Sequence, residues 1–213
     1  MPKLKPEELE SRRREIVDAA RACFLRNGFH QTTTDQICHE AAITPGGLYH
    51  YFSGKDEVIS AVIQESTRET VRRLSAMIDE PPDVTSAFRQ LLQFLFETMR
   101  DPDVDNIARL DIEIWAESLK NEKLSAISKE SWMLRRGILE RFVERGIEEG
   151  IYRSDTVDAR GFASLMLAIL VGLRLGKLLW KDDFDLDGAI RTLFLMHAGR
   201  LVNDVQAVTV SAK

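Results

Sequence analysis

The chain has 213 residues, 44% of them apolar and 30% charged, with twelve glycines and six prolines, which excludes collagen-like, low-complexity and extensively disordered proteins. Its charged amino terminus is not a signal peptide, and its longest apolar run, Leu165 to Leu173, is too short to cross a bilayer, so a cytoplasmic protein with no membrane partner is expected. The net charge of −5 is uneven, +1 over residues 1–55 with an Arg12-Arg13-Arg14 cluster and −6 over the rest; phosphate binding depends on the local value.

Helical periodicity dominates, and no stretch alternates with β-branched enrichment, so the fold class is all-α. A first helix carries Ile16, Ala19, Ala20, Cys23, Phe24 and Asn27 on one face and is expected to stop at Gly28. A second starts with a capping box, Thr33 as N-cap and Gln36 three residues on, and turns Ile37, Cys38 and Ala41 inward. The two cysteines read as small buried hydrophobes rather than a disulfide or metal pair. A third helix begins at Thr44 as N-cap with Pro45 at the first helical position. Ala42 and Ile43 form the short turn between the second and third helices, and the arrangement is a helix-turn-helix.

That reading accounts for two adjacent glycines at the start of the third helix. A recognition helix enters the major groove with its N-terminal residues toward the base edges, so Gly46 and Gly47 let the backbone approach DNA closely. Tyr49, His50 and Tyr51 come next with flat, hydrogen-bonding rings, and Lys55 supplies a charge for phosphate. Leu48 and Phe52, at i and i+4, form the buried side.

Farther on, the punctuation places helices at about 55–79 (ended by Pro81-Pro82), 83–100, 103–119, 122–149, 155–181 and 187–204, the fifth of these capped by Ser154 or Asp155. In helix 103–119, Ile107, Leu110, Ile114, Trp115 and Leu119 span a broad apolar arc with Asp111 in its middle. A carboxylate so placed needs a partner: either it pairs with a cation such as Arg174, the favoured reading, or it faces a pocket and meets a ligand. Phe94, Met99, Trp115, Trp132, Met166 and Leu170 are candidate apolar lining of that effector pocket, with Asp111 and Arg174 as its polar groups. Along helix 161–176, Gly161, Ala168, Gly172 and Gly176 form a small-residue stripe suited to close helix approach. With Phe194, His197 and Leu201 of the last helix, this stripe is the candidate dimer seam, a four-helix interface around a two-fold axis.

Residues 28–55 resemble the DNA-binding signature of the tetracycline-repressor (TetR/AcrR) family of bacterial transcription regulators. Its slots are filled by Gly28-Phe29, Thr32-Thr33, Ile37, Ala41, Ile43-Thr44, Gly46 to Tyr49, Tyr51-Phe52 and Lys55. Two positions depart from it: Cys38 where alanine is usual, and Ala42 where the turn glycine is usual. If Ala42 takes a positive φ, the departure costs roughly 1 kcal/mol. The resemblance implies an Ω-shaped all-helical homodimer, usually a repressor, whose helices four to seven and part of eight enclose a small-molecule pocket. It assigns Pro45, Gly46, Gly47, Tyr49 and His50 to bases or the adjoining backbone, and Thr33, Thr34, Thr44, Tyr51 and Lys55 to phosphates.

Residues 1–54 are therefore expected to form a three-helix DNA-binding domain and residues 55–213 a larger helical effector-binding and dimerisation domain, about nine helices in all. The expected partners are an operator duplex, a small-molecule effector and a second copy of the chain, with no cofactor or metal. Repressor and activator both fit this fold, and a helical interaction module that does not bind DNA is a further alternative. An enzyme is not expected: SGKD at 53–56 lacks the phosphate-loop glycine and hydroxyl, and no nucleophile elbow or HExxH occurs. DPDVDN (101–106) and DFDLDG (183–188) only imitate calcium loops, since Ile112 and Phe194 stand where the twelfth-position glutamate belongs.

Overall fold

Helix α1 (Pro6–Gln31) buries Ile16, Val17, Ala19, Ala20, Cys23 and Phe24 on one stripe. Asn27, expected on that stripe, is exposed, because the axis breaks at Gly28, the next residue. Gly28 has φ 75°, a conformation in which a Cβ costs about 1 kcal/mol. The helix does not stop there; it resumes through Gln31 and swings Phe29 into the core, edge-on to Phe24 at 4.8 Å between centroids. The computed structural model describes residues 5–101 and 104–197, so Leu201 and the expected end of the last helix near 204 lie outside it.

Helices α2 (Thr34–Glu40) and α3 (Pro45–Tyr51) begin as their caps predict. The Gln36 amide donates to Thr33 Oγ1 at 3.2 Å while the Thr33 amide donates to Gln36 Oε1 at 2.9 Å, and the Gly47 amide donates to Thr44 Oγ1 at 3.2 Å. Between them Ala42 does take φ 51°. Ile37, Cys38, Leu48 and Phe52 close a core shared with α1 and with the first turns of α4 (Lys55–Asp79) through Val58, Ile59, Val62 and Ile63.

Helices α5 (Val84–Arg100), α6 (Val104–Ser118), α7 (Glu122–Glu148), α8 (Ala159–Trp180) and α9 (Leu186–His197) build the larger half, with a short 3₁₀ turn, Lys181–Asp183, before α9. One apolar cluster joins α4, α5, α7 and α8 around Ile78, Phe142, Val143 and Ala163; a smaller one joins α5, α8 and α9 around Leu95, Met99, Leu173 and Ile190. Helix α6 lies against both α1 and α7.

Several expectations change here. The cap of α8 is Asp158, which accepts from the amides of Arg160 at 3.2 Å and Gly161 at 3.0 Å; Asp155 is taken by Arg153 at 2.8 Å, and Ser154 caps nothing. Leu119 falls beyond the end of α6 and is 88% exposed, so the apolar arc of that helix is shorter than its periodicity implies. Segment Ala159–Asp183 is long and apolar enough by composition to cross a membrane, more so than the run Leu165 to Leu173 suggests, because Arg174 and Lys177 only briefly interrupt it. Arg174 is instead engaged by Asp111, and Lys177 donates to the Met99 carbonyl.

Gly28 is where this architecture is most sensitive to a single methyl group. A Cβ there would run into the Glu113 carboxylate as well as strain the backbone. Gly28→Ala should therefore lower unfolding stability by about 1–3 kcal/mol in urea titration. A change below about 0.5 kcal/mol would mean that the kink relaxes without resistance.

Candidate nucleic-acid interface

The α2–α3 turn is fixed by backbone hydrogen bonds and by one side chain from α1. Ile43 N–H donates to the Cys38 carbonyl at 2.9 Å, and Arg12 Nη2 reaches the Ala42 carbonyl at 3.4 Å while its other nitrogen pairs with Glu15. That carbonyl contact offsets part of the cost of Ala42's positive φ. Arg26 of α1 clamps α2 through Glu40 at 2.6 Å, and Arg13 lies over the Phe52 ring at 5.0 Å. Of the basic cluster, Arg14 alone is exposed with no partner among the described residues. Burial pushes both the Cys23 and Cys38 thiols up, so they stay protonated core groups.

Helix α3 buries Leu48 completely and turns the opposite face to solvent. Pro45, Gly46 and His50 are exposed, and Tyr49 is 57% exposed, unusually open for a tyrosine. Tyr51 is half-buried, edge-on to His50 at 5.2 Å. Neither Gly46 nor Gly47 has a positive φ, so the backbone does not demand glycine at either position. A Cβ on Gly46 would meet nothing within 4 Å, and one on Gly47 would make only ordinary contact with Thr44 and Ile43. The fold itself gives no reason for this pair.

Thr33 is exposed, Thr34 half-buried, and Thr44 exposed beside Pro45, at the N-termini of α2 and α3, where unpaired amides attract anions. Lys55 opens α4 after a turn held by Ser53, whose amide and hydroxyl both donate to Glu57 Oε2 at 2.7 Å; those bonds hold the Glu57 carboxyl below its usual range. A cleft of about 640 Å³ separates α3 from the start of α1, lined by Arg12, Thr44, Gly47, His50 and Tyr51 among others.

In the larger half, Asp111 of α6 pairs with Arg174 of α8, Oδ2 to Nη1 at 3.0 Å. Burial pushes the Asp111 carboxyl up, against the pull of Arg174 and of Arg135 on α7. Burial pulls the Arg135 guanidinium down, opposed by Asp111 and reinforced by Arg174. Arg135 is not legible from sequence as a member of this group: it sits in an Arg-rich stretch of a mixed helix, and only the packing of α6, α7 and α8 brings it to Asp111. Phe94, Trp132, Met166 and Leu170 are half-buried around the α4–α5–α7–α8 cluster, Met99 is fully buried between α5 and α9, and Trp115 is 38% exposed on α6. On α8, Ala168 and Gly172 are exposed, but Gly176 is buried with the Phe184 ring 2.7 Å from where its Cβ would stand. Gly176 therefore packs within its own chain and leaves the small-residue stripe. Phe194 is exposed; His197 ends α9.

A three-helix unit whose second short helix is capped, exposed on one face and set beside another capped helix N-terminus has the geometry of a DNA-binding helix-turn-helix. Residues 16–62 match the family described as bacterial regulatory proteins, tetR family. The chain is 28% identical over 152 residues to the uncharacterized HTH-type transcriptional regulator YfiR of Bacillus subtilis, covering 71% of this chain and 73% of that one. Among solved structures it resembles Salmonella enterica GusR at 26% identity and TM-score 0.69, over 94% of this chain and 99% of that one. It also shares the fold of a regulator from Saccharomonospora viridis in complex with choline, at 18% identity and TM-score 0.75, over 88% and 97% of the two chains. Residues 16–62 are thus a tetR-family DNA-binding region, and the chain is a helix-turn-helix transcriptional regulator.

The bare glycines yield a two-sided expectation. Gly46→Ala and Gly47→Ala should leave the melting temperature unchanged or raise it, by up to about 1 kcal/mol in stability. Both should weaken DNA binding at least several-fold, because the added methyl occupies space at the groove. A destabilised Gly47→Ala that still binds its operator normally would contradict the contact role.

Proposed function

We propose that the protein is a repressor that binds a pseudo-palindromic operator as a homodimer and leaves it when a small-molecule effector occupies the larger half. The observation that carries the DNA-facing reading is the solvent face of α3, where Pro45, Gly46, Tyr49 and His50 are exposed and neither Gly46 nor Gly47 is required as glycine by the backbone or by crowding. On this reading those residues meet bases or the adjoining backbone, and Thr33, Thr34, Thr44, Tyr51 and Lys55 meet phosphates. Residues 1–54 act as the DNA-binding unit, residues 55–213 as the effector and dimer unit, and the protein works in the cytoplasm, where its DNA is.

The dimer reading is supported by apolar surface that one chain leaves open. Leu165, Ala168, Gly172 and Leu179 are exposed on α8, and Phe194 and Met196 on α9. A patch of this kind on a soluble protein marks a contact surface. Two copies of α8 and α9 around a two-fold axis would cover it, and would place two recognition helices on successive turns of one DNA face.

Effector response needs a physical link between the halves, and α6 supplies one. The Phe29 amide, just past the Gly28 kink, donates to the Glu113 carboxylate, two residues along α6 from Asp111. A ligand that shifts α6 would move the end of α1 and with it α2 and α3. A solved regulator of the same fold, itself in complex with choline, is in keeping with a small-molecule response.

Two measurements test this reading. Phe194→Glu should convert the dimer to a monomer in light scattering and abolish tight operator binding; a variant that stays dimeric at micromolar concentration would move the interface elsewhere. Lys55→Ala should weaken binding to all duplexes alike and flatten the salt dependence, whereas His50→Ala should also reorder preference among operator variants. Equal losses on every sequence for both would remove the base-facing role of His50.

A further inference from the structure

The charges enclosed by α6, α7 and α8 do not balance. Asp111 brings one carboxylate; Arg174 and Arg135 bring two guanidinium groups. Arg174 is bound to Asp111 through Nη1 alone, and its Nε is closed off from solvent without a hydrogen-bond partner. Arg135 makes no hydrogen bond and no ion pair among the described residues, and its Nε is likewise enclosed and unpartnered. The next arginine, Arg136, has an Nε enclosed in the same way and without a well-aimed hydrogen bond, but a carboxylate, that of Glu140, lies 2.8 Å from it. No second carboxylate among the described residues therefore answers Arg135.

A sheltered guanidinium without a partner is costly to keep. A purely structural site would be expected to lose it, since an apolar side chain of similar volume would pack there without that cost. The pair Asp111–Arg174 nevertheless keeps 24% accessibility on each side chain, so solvent-sized space reaches the cluster. The neighbouring side chains are apolar: Trp132 lies one turn before Arg135 on α7, and Leu170 one turn before Arg174 on α8. Two guanidinium forks with free Nε–H groups beside apolar side chains match one chemistry, an oxyanion on an apolar body.

We propose that Arg135 and Arg174 form the recognition point for the anionic head group, carboxylate or phosphate, of an otherwise apolar small-molecule effector. Asp111 is a positioning residue that holds Arg174 in place and leaves Arg135 free. This rests on the ligand-response reading above.

The test uses the full-length protein and three probes sharing one body: octanoate, monooctyl phosphate and octyltrimethylammonium. Octanoate or monooctyl phosphate should raise the melting temperature with concentration, the better of the two naming the head group, and octyltrimethylammonium should not. Arg135→Met should melt at the same or a higher temperature than the parent, because an unanswered charge is gone, yet bind the better anion at least tenfold more weakly. Should Arg135→Met not fold, Arg135→Gln carries the same comparison. Unchanged anion binding in the variant, no shift with either anion, or an equal shift with octyltrimethylammonium would overturn the proposal. Operator binding separates the two readings: release from DNA by a cationic or neutral compound alone keeps the regulator reading and removes the anion site. An anion that binds at Arg135 without changing operator affinity keeps the site and removes the ligand-response reading.

Discussion

The contact between Glu113 and the Gly28–Phe29 corner is the constraint on which the rest of the structure depends. Gly28 accepts the left-handed conformation that breaks α1, and only at that break is the Phe29 amide released from the helical ladder to bond elsewhere. Glu113 takes it, and the space that a side chain on Gly28 would need is filled by the same carboxylate. Phe29 can then turn inward onto Phe24, and Thr32 ties the corner by donating to the Gly28 and Cys23 carbonyls at 2.8 and 3.2 Å. The helix-turn-helix is thus hung from α6 by a hydrogen bond to a charged group, a stronger tether than a neutral one.

Residues two apart on a helix point to nearly opposite sides. Glu113 faces α1, and Asp111, on the same helix, faces α7 and α8. Helix α6 therefore has one polar anchor on each side and apolar packing between. Rotation or sliding of α6 cannot satisfy one anchor without disturbing the other. A two-anchor strut has few comfortable positions, which makes it suited to transmit a change rather than absorb it.

How far the sequence discloses each feature depends on how local its determinant is. Thr33 with Gln36 and Thr44 with Pro45 announce themselves within four residues, so the starts of α2 and α3 are legible to the residue. Gly28 marks the break in α1 but not its continuation to Gln31, because the continuation depends on Glu113 taking the freed amide. Even the positive φ of Ala42 is legible, because the tight turn demands it whatever residue stands there. The cap of α8 is not: Ser154, Asp155 and Asp158 compete within five residues, and the outcome turns on Arg153 capturing Asp155. Arg135, Glu113 and Gly176 are illegible for a different reason. Each acquires its role from a partner on another element, 24, 84 or 8 positions away in the chain for Asp111, Phe29 and Phe184 respectively, and periodicity carries no information about which faces meet.

The exposed face of α3 also bears on the dimer proposed above. It carries glycines, a proline and two aromatic rings but no lysine or arginine, and most nearby cations are already committed: Arg12 to Glu15 and Ala42, Arg13 to Phe52, Arg26 to Glu40. Among the described residues that leaves Lys5, Arg14, Lys55 and the helix N-termini open to phosphates on the proposed reading, in a chain whose larger half is acidic. Few cations mean few released counterions, and hence weak binding of one copy to DNA of any sequence. Weak background binding favours discrimination, since the non-specific sites of a genome compete poorly. On the proposed dimer reading, useful operator affinity comes from two recognition helices held at a fixed spacing, where the second contact is made at high effective concentration. On the dimer reading, the poverty of charge on the exposed face of α3 and the open apolar surface of α8 and α9 are two sides of one design.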